Sequence, residues 1–510
     1  IIFRKDLTTS PFFATRKIRT EFKPKGADVV QMNNELFGRR TIYTDYDYID
    51  ASNVVEVLRT ALVTHSANQG ENDYLYRYYK GEQPVLARTK EYRGEITNKI
   101  VENRANEIVS FKVGYLMGEP VQYVSRGDDT VSDEIEKLNS YMYAQDKAAK
   151  DKELADWFTV CGSAYRLLLP NTDDDCDEES PFAIYTLDPR CSFIVYYSGL
   201  GNRPMMGVKF VSRQNGTTIY SVYTSDMYFE ITNTENIIKA EPHYLGTVPM
   251  FEYSNNSAKL GAFEIVLPLL DELNNLASNR MDGVEQFIQS ILVFLGIEID
   301  TDGIKKLKDS GGLCLPEGAD AKYLVQELNQ GQTQTLVDST YDAILSICGM
   351  PNRNGGSSTS DTGAAVIMRD GWSDAEARAK DTETLFKKSE RRFLKLALKI
   401  ANIDIKPSSI DIRFTRRNYE NIQTKSQVLT SMLNNSKIHP LLAFEHCGMF
   451  VDPENAYLLS KNYSEQEEEK TLTLLERDAL HSDGENPEDN EATPDSEVNN
   501  TDSEDGTGAA

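Results

Sequence analysis

The side chains best suited to acid–base or metal chemistry are scattered through this sequence of 510 residues. The five histidines are His65, His243, His439, His446 and His481. The one close pair is His439 and His446, and Pro440 interrupts any helix that would bring the two rings onto one face. We therefore interpret this pair as structural.

No catalytic pattern stands out elsewhere. The acidic runs at 128–129 and 173–175 are interpreted as solvated loops, because a working pair of carboxyl groups needs environments that separate their pKa values. The sequence contains no G-x-x-x-x-G-K-[ST], H-E-x-x-H, G-x-S-x-G or G-x-G-x-x-G motif. We expect no enzyme activity, no cofactor and no metal.

The cysteines favour reduced thiols. The six positions are Cys161, Cys176, Cys191, Cys314, Cys348 and Cys447. No two of them have the C-x-x-C spacing, which argues against a zinc site or a disulfide scaffold. We expect a protein that folds in a reducing compartment, without a signal peptide or a membrane helix, because no apolar run approaches the ~18 residues that a membrane span needs.

Negative charge is concentrated at the C-terminus. The net charge is −26, of which −14 lies in residues 464–510, so the rest of the chain carries −12. Proteins that hold nucleic acid tightly do so by neutralising phosphates with basic side chains. A role with DNA would therefore be passage or guidance rather than tight binding.

Hydrophobic periodicity predicts a mixed α+β chain that can bury a sizeable core. Helices are predicted over residues 53–67, 98–117, 129–159 (one or two), 260–295, 332–348, 362–401, 422–433 and, as a pair, 437–459. Strands are predicted over 121–124 and 408–414, with an antiparallel β region over 161–253. A single helix over 269–295 would be roughly 40 Å long. Residues beyond 478 have almost no apolar content and are predicted to be disordered.

Several short motifs follow one another in a family-like order. They are YKG at 79–81, NKIV at 98–101, YLMGEPV at 115–121, CGSAY at 161–165, LDP at 187–189, HYLGTVP at 243–249, LLDELN at 269–274 and TGAA at 362–365. Over residues 75–465 this order resembles the portal proteins (head-to-tail connectors) of tailed double-stranded-DNA bacteriophages, of the Bacillus long-tailed siphophage type.

The resemblance implies a portal fold with an α/β wing, a two-helix stem, a small α/β clip, a long helix behind a tunnel loop, and a helical crown. The implied divisions are 1–74 N-terminal arm, 75–259 wing, 260–295 stem helix, 296–330 clip, 331–350 second stem helix, 351–361 tunnel loop, 362–402 long helix, 403–435 wing return, 436–477 crown and 478–510 acidic tail.

Two segments are candidate functional sites. The tunnel loop, facing DNA, would comprise Asn352, Arg353, Asn354, Gly355, Gly356, Ser357, Ser358, Thr359, Ser360 and Asp361. Its glycine and serine content reduces backbone stiffness, and without the family order the same residues would be interpreted as a surface linker. In the clip, Lys305, Lys306 and Lys308 could contact DNA, the packaging motor or an adaptor; the alternative is the solvated face of a short helix.

Four further lysines and arginines, at 387–388 and 391–392, are interspersed with Glu383 and Glu390. We expect them to form intrahelical or intersubunit ion pairs rather than DNA contacts.

The implied function is a ring, of twelve subunits, through which DNA is packaged, retained and ejected at one capsid vertex. The implied partners are further copies of the chain, double-stranded DNA, the terminase motor, the major capsid and scaffolding proteins and a head-completion adaptor, in a virion assembled in the host cytoplasm. One alternative is another non-enzymatic oligomeric virion or scaffold protein without a DNA channel. Another is a packaging nuclease, which would need clustered metal-binding carboxylates.

Overall fold

The structure is a computed structural model, and it describes most of the chain. The described residues are 38–91, 94–126, 132–171, 179–288, 291–295, 305, 317–324, 330–352, 371–416, 422–450 and 453–482. The chain divides into two compact units, residues 1–421 and residues 422–510.

The first unit contains several long helices in its described part. They are α1 (Val54–Tyr79), α2 (Arg104–Leu116), α3 (Ser132–Ala144), α4 (Lys147–Cys161), α5 (Leu267–Ile288), α6 (Gln330–Cys348) and α7 (Trp372–Ala401). In α7, Phe386, Phe393 and Ala397 recur at helical spacing and are buried, as expected of a helix that packs one stripe against a core.

The strands of the first unit are β1 (Ile42–Thr44), β2 (Gln122–Ser125), β3 (Ser163–Pro170), β4 (Phe182–Leu187), β5 (Ser192–Tyr197), β6 (Pro204–Ser212), β7 (Thr218–Tyr223), β8 (Met227–Thr232), β9 (Ile237–Pro242), β10 (Met250–Ser254), β11 (Ile291–Leu295), β12 (Asp320–Leu324) and β13 (Ile410–Arg413). They form a six-stranded sheet in the order β1-β5-β6-β7-β8-β9, a three-stranded sheet β10-β3-β4, and the pairs β11-β12 and β13-β2. All pairings are antiparallel except β1 with β5.

Two hydrophobic cores lie on either side of the three-stranded sheet. One joins α1 to the six-stranded sheet, and the other joins α2, α4, α5, α6 and α7 to β3, β4 and β10. The first six residues of β3 are all buried, because the strand contributes side chains to both cores. This explains why the strand has apolar residues on both of its faces, with Arg166 as its one charged residue.

A group of buried charges joins α7 to the three-stranded sheet. The carboxylate of Glu390 has no solvent exposure and lies 2.9 Å from the Lys147 ammonium and 3.5 Å from the Arg166 guanidinium. Tyr123 and Tyr253 donate their hydroxyl hydrogens to the same carboxylate. Asp151 accepts from Lys147 and from Arg166, which makes the four charges neutral as a set. We call these six residues the Glu390 cluster.

The cluster controls the ionisation of its central carboxyl group. Burial alone would raise the pKa of Glu390, because a charged group loses its hydration in the core. The Lys147 and Arg166 charges and the two tyrosine hydroxyls outweigh burial, so the pKa of Glu390 is lowered from its ordinary value of 4.5. The carboxylate is therefore ionised at neutral pH.

An extended segment, residues 98–102, lies antiparallel along α5. Backbone amides two residues apart in this segment donate hydrogen bonds to side chains four residues apart on the helix. The three hydrogen bonds run from Asn98 N to Asp282 Oδ1 at 2.7 Å, from Ile100 N to Ser278 Oγ at 3.0 Å and from Glu102 N to Asn274 Oδ1 at 3.0 Å. The match is possible because two extended residues rise about 6.7 Å and four helical residues about 6 Å.

Most of the predicted elements are confirmed. The helices over 332–348 and 422–433 are present, the 129–159 region forms two helices, and the predicted strands at 121–124 and 408–414 pair with each other as β2 and β13. The 161–253 region is antiparallel β apart from the parallel pairing of β5 with β1. Of the helix predicted over 362–401, the part from Trp372 is confirmed, and 362–370 lie outside the described residues.

In the first unit, three predictions of helix boundaries are wrong. The helix over 53–67 continues to Tyr79. Residues 98–102 are extended rather than helical, since α5 side chains accept hydrogen bonds from the Asn98, Ile100 and Glu102 amides, and Asn103 before α2 has a left-handed backbone with φ +47°. The helix over 260–295 begins at Leu267 and ends at Ile288, a length of about 33 Å, and Ile291–Leu295 is a strand.

The second unit contains three helices in its described part: α8 (Ile422–Leu433), α9 (Pro440–Cys447) and α10 (Pro453–Ser482). The second helix of the predicted 437–459 pair is therefore much longer than expected. His439 has the structural role predicted for it, because its Nδ1 accepts from the Leu441 amide and caps α9. Phe444 packs against Phe450 and Tyr457.

Removing the charge of Glu390 should destabilise the first unit strongly. Glu390→Gln leaves Lys147 and Arg166 buried with only Asp151 to balance them, and breaking such a buried pair costs about 3–5 kcal/mol. Urea denaturation of the purified protein measures the loss. The matched control is Glu235→Gln, which removes a fully exposed ion pair with Arg59 and should leave the midpoint unchanged. Equal effects of the two substitutions would contradict a central role for the cluster.

The same carboxyl group should make stability depend on pH. Because the folded-state pKa of Glu390 is lowered, its stabilising effect is complete above its ordinary pKa of 4.5 and is lost as pH falls through the lowered value. The stability difference between the native protein and Glu390→Gln should therefore shrink below pH 4.5. Denaturation curves measured between pH 3 and 7, at intervals of about half a pH unit, test this expectation. A constant difference would refute it.

Candidate functional site

Helices α5 and α6 flank a two-stranded sheet. Helix α5 ends at Ile288 and β11 begins at Ile291; β12 ends at Leu324 and α6 begins at Gln330. The two strands pair over their whole length, from Ile291 opposite Leu324 to Leu295 opposite Asp320. The order helix–strand–strand–helix agrees with two long helices joined by a small insert.

Helix α6 is held against α5 and α2 by polar contacts. Arg280 on α5 donates to Gln334 Oε1 at 2.6 Å. Tyr341 on α6 donates to Glu107 Oε1 at 2.8 Å, and the Arg104 guanidinium lies over the Tyr341 ring at 4.4 Å from its centre. A cation over an aromatic face adds to the stability of such a contact.

The composition of α6 is unusual for a helix that could face a nucleic acid. Its only charged residues are Asp338 and Asp342, and the remainder of its polar residues are glutamine, serine, threonine and tyrosine. Both aspartates are exposed. The helix therefore presents no cation that could hold a phosphate.

Helix α6 ends at a left-handed glycine. Gly349 has φ +62°, its amide donates to the Ser346 carbonyl at 3.1 Å, and the Met350 amide donates to the Leu345 carbonyl at 2.9 Å. This pair of hydrogen bonds is the Schellman motif, which satisfies carbonyl groups left free at a helix end. A Cβ on Gly349 would lie 2.2 Å from the Cδ atom of Arg378, so the position has no room for a side chain.

Helix α7 begins beside the end of α6. Gly371, with φ +80°, directly precedes α7, and a Cβ on it would lie 3.7 Å from the Met350 carbonyl oxygen. Arg378 of α7 donates from Nη1 to the carbonyl of Ile347 at 2.9 Å. Residue 352, the last before the segment 353–370, and residue 371, the first after it, therefore lie close to each other in space. We call Gly349, Met350, Pro351, Gly371 and Arg378 the loop base.

An aromatic group fixes the first turn of α7. The Trp372 ring lies 6.0 Å from the rings of Phe111 and Tyr115, which stack on each other. Tyr115 donates to Glu376 at 2.8 Å. These contacts join the loop base to α2.

The structure describes only part of the predicted site. Asn352 is half-buried and its side chain donates to Asp342 Oδ1 at 2.9 Å, so it belongs with α6 at the loop base. Lys305 is exposed. The other predicted loop residues, 353–361, and Lys306 and Lys308 lie outside the described residues. The structure therefore brings residues 352 and 371 together and leaves the predicted loop beyond Asn352 untested.

The basic residues of α7 differ from one another in their partners. Lys387 forms the expected intrahelical pair with Glu383 at 2.7 Å. Glu390, expected to pair with the neighbouring basic residues of α7 or of another subunit, is instead the centre of the buried cluster, where it pairs with Lys147 and Arg166. Lys388, Arg391 and Arg392 are exposed and make no ion pair with any described residue, which is compatible with the expected intersubunit pairs.

The described residues contain no group of three or more His, Cys, Asp or Glu side chains that could hold a metal ion. In the same part of the chain, Cys161, Cys191, Cys348 and Cys447 are free thiols. Within the described ranges, no helix has both the length and the apolar character that a membrane span requires.

A family model named "Phage portal protein, SPP1 Gp6-like" matches residues 63–474, which is most of the chain. The chain belongs to the phage portal protein family. This portal protein is a structural component of a phage virion, where portal subunits form an oligomeric ring with a channel in the head, at the connection to the tail. The mixed helix and sheet architecture is the expected α+β portal fold.

One similar solved structure is titled "Neck of empty GTA particle computed with C6 symmetry"; it aligns with a TM-score of 0.43 and 10% identity, over 75% of the portal chain and 94% of that chain. No curated protein sequence matches the portal chain.

Substituting the glycine at the end of α6 should weaken the loop base. Gly349→Ala forces a left-handed backbone on a residue with a Cβ, which costs about 1–2 kcal/mol, and displaces Arg378 from Ile347. The control is Gly114→Ala, in the last turn of α2, where an added Cβ would meet no atom within 4 Å; this substitution should be neutral or stabilising by up to about 1 kcal/mol. Urea denaturation compares the two. An undisturbed Gly349→Ala protein would show that the loop base tolerates a side chain there.

Proposed function

We propose that residues 353–361, together with Asn352, form a tunnel loop that faces double-stranded DNA inside a ring of twelve subunits. The observation that supports this assignment is the loop base, because the segment 353–370 starts and ends at one point, between the end of α6 and the start of α7. A chain segment fixed at both ends on rigid helices can move at its tip while its ends stay in place.

The charge of α6 supports sliding over binding. Basic side chains that neutralise phosphates release counterions and hold DNA in place. A helix with two aspartates and no cation would instead repel the duplex weakly, so DNA could pass along it during packaging and ejection. In this proposal the glycine and serine residues of the tunnel loop touch the moving duplex and limit its return.

The insert between α5 and α6 is proposed as the clip. Lys305 is exposed, as a contact to a partner requires, and with Lys306 and Lys308 it would meet DNA, acidic side chains of the terminase motor or, later, a head-completion adaptor. Major capsid and scaffolding proteins would contact the wing, which in this proposal comprises residues 75–259. The ring would assemble in the host cytoplasm.

Catalysis is not part of the proposal. Packaging needs a motor that hydrolyses ATP, and the sequence has no phosphate-binding loop of the G-x-x-x-x-G-K-[ST] type. The portal would therefore act as a passive conduit, and the terminase would supply the energy.

Deleting residues 354–360 tests the tunnel loop. Because the loop base is left intact, rings should still form, whereas packaging or retention of DNA should fail. Negative-stain microscopy of the purified protein gives the ring and its subunit number, and nuclease protection of packaged DNA in phage extracts gives the function. The control replaces 354–360 with seven residues of glycine and serine in scrambled order, which should retain packaging if flexibility is what matters. Normal packaging by the deletion protein would sink the loop assignment.

A further inference from the structure

Helix α7 carries a row of exposed cations. They lie on its outer side and comprise Lys388, Arg391, Arg392 and Lys395. At about 100° of rotation per residue, these positions lie roughly 100–160° around the helix from Glu390, whose side is buried. None of the four side chains forms an ion pair with a residue that the structure describes. We call these four residues the basic face.

Helix α3 has an exposed face of the opposite charge. Its exposed charged residues give a net charge of −2, from three acids and one base: Asp133, Glu134, Glu136 and Lys137. The Lys137 ammonium lies 5.8 Å from the centre of the Tyr141 ring, and within the described ranges none of the three carboxylates forms an ion pair. The helix buries its other side through Ile135, Leu138 and Met142. We call the three exposed acids the acidic face.

Tyr123 on β2 lies between the two helices. Its hydroxyl donates to Glu390 on the buried side of α7, and its backbone carbonyl accepts from the Asn139 side chain of α3 at 2.9 Å. Each helix therefore turns its inner side toward Tyr123 and its charged face away from it. The basic face and the acidic face consequently lie on opposite sides of the first unit.

A closed ring requires two surfaces with this arrangement. Each subunit of a ring makes a head-to-tail contact, in which one surface of the chain meets a different surface of the next copy. A cationic and an anionic surface on opposite sides of the same unit meet that requirement. Each face would then find in the next copy the counter-charges that its own described surroundings do not supply.

Two exposed tyrosines lie beside the same faces. Tyr143 is 88% exposed and follows Glu136 by seven residues, which places it on the same side of α3. Tyr244 is 91% exposed and lies at the C-terminal end of the basic face, where Lys399 Nζ donates to its carbonyl at 3.3 Å. Tyrosine and arginine are enriched where proteins bind each other. The side chains of both surfaces therefore suit a contact between proteins.

We propose that the basic face of α7 in one portal subunit binds the acidic face of α3 in the next subunit around the ring. Residues 388–395 cover about 10 Å of helix and residues 133–143 about 15 Å, so one row can lie along the other. A row of cations turned toward the channel would instead hold DNA by its phosphates, which opposes passage. The inference rests on the ring and not on the tunnel loop, so a failure of the packaging experiment leaves it standing.

Charge reversal in the full-length protein tests the contact. One variant combines Arg391→Glu with Lys395→Glu, and the other combines Asp133→Lys with Glu136→Lys. Each should raise the protein concentration at which half of the subunits are in rings by about tenfold or more, because like charges across an interface repel each other. Mass photometry over a dilution series measures that concentration. Unchanged assembly of either variant would overturn the proposal.

Mixing the two variants gives a sharper result. The first variant has acidic side chains on both faces and the second has basic side chains on both, so each repels its own copies and attracts the other on either side. An equimolar mixture should form rings of alternating subunits at concentrations where neither variant assembles alone. A single protein with all four substitutions should also assemble. Folded variants that do not assemble in the mixture would contradict the proposal.

Matched controls separate the position of a charge from the net charge. Lys209→Glu with Arg213→Glu, and Glu91→Lys with Glu95→Lys, make the same changes at exposed positions elsewhere and should leave assembly unchanged. Equal effects of control and test variants would refute the assigned contact. Arg391→Gln with Lys395→Gln, which introduces no repulsion, should weaken assembly in the same direction and to a smaller extent. Urea midpoints should match the native one, since every substituted side chain is exposed.

A DNA-binding role for the basic face predicts a different outcome. In that case Arg391→Glu with Lys395→Glu would leave the half-assembly concentration unchanged and reduce the retardation of double-stranded DNA by assembled rings in a native gel. Such a result would assign the face to DNA and overturn the subunit contact.

Discussion

The structure depends on a carboxylate, that of Glu390, which is completely buried from solvent. Glu390 carries its carboxylate into a core of phenylalanine side chains, where an unbalanced charge would be prohibitive. Lys147 on α4, Arg166 on β3 and two tyrosines on β2 and β10 must all arrive at one place for the core to close. The requirement fixes α7 against the three-stranded sheet. The position of Gly371, and with it the loop base, follows from that.

Sequence periodicity predicted most of the helices and strands. It failed where a helix and a strand can have the same pattern of apolar residues. The run Ile291–Leu295 reads equally well as the last turns of α5 and as a buried strand, because five apolar residues do not distinguish the two. Residues 98–103 were predicted as helix since Ile100 and Val101 suit either state. Their partner is α5, more than 170 residues away in sequence, and no local pattern records such a contact.

The sequence predicted that a loop lies at the candidate site. It did not predict the contacts that hold the two helix ends beside that loop in place. A glycine and serine segment between two helices indicates a loop, and Gly349 with Pro351 after an apolar helix is a recognisable stop signal that locates its start. Nothing local shows that Arg378 fills the space above Gly349. For Glu390 a signal did exist: it lies four residues after Phe386 and three before Phe393, on the apolar stripe of α7. The surrounding lysines and arginines made it resemble a surface residue.

The segment along α5 has a mechanical consequence. Three amides at two-residue intervals meet three side chains at four-residue intervals, so every hydrogen bond is in register with the others. A rotation of α5 about its axis, or a slide along it, would break all three together rather than one at a time. Torque or tension applied at the β11-β12 end of α5 is therefore transmitted to the body of the subunit instead of being absorbed by slippage. Helix α5 is therefore fixed to the body of the subunit at three points along its length.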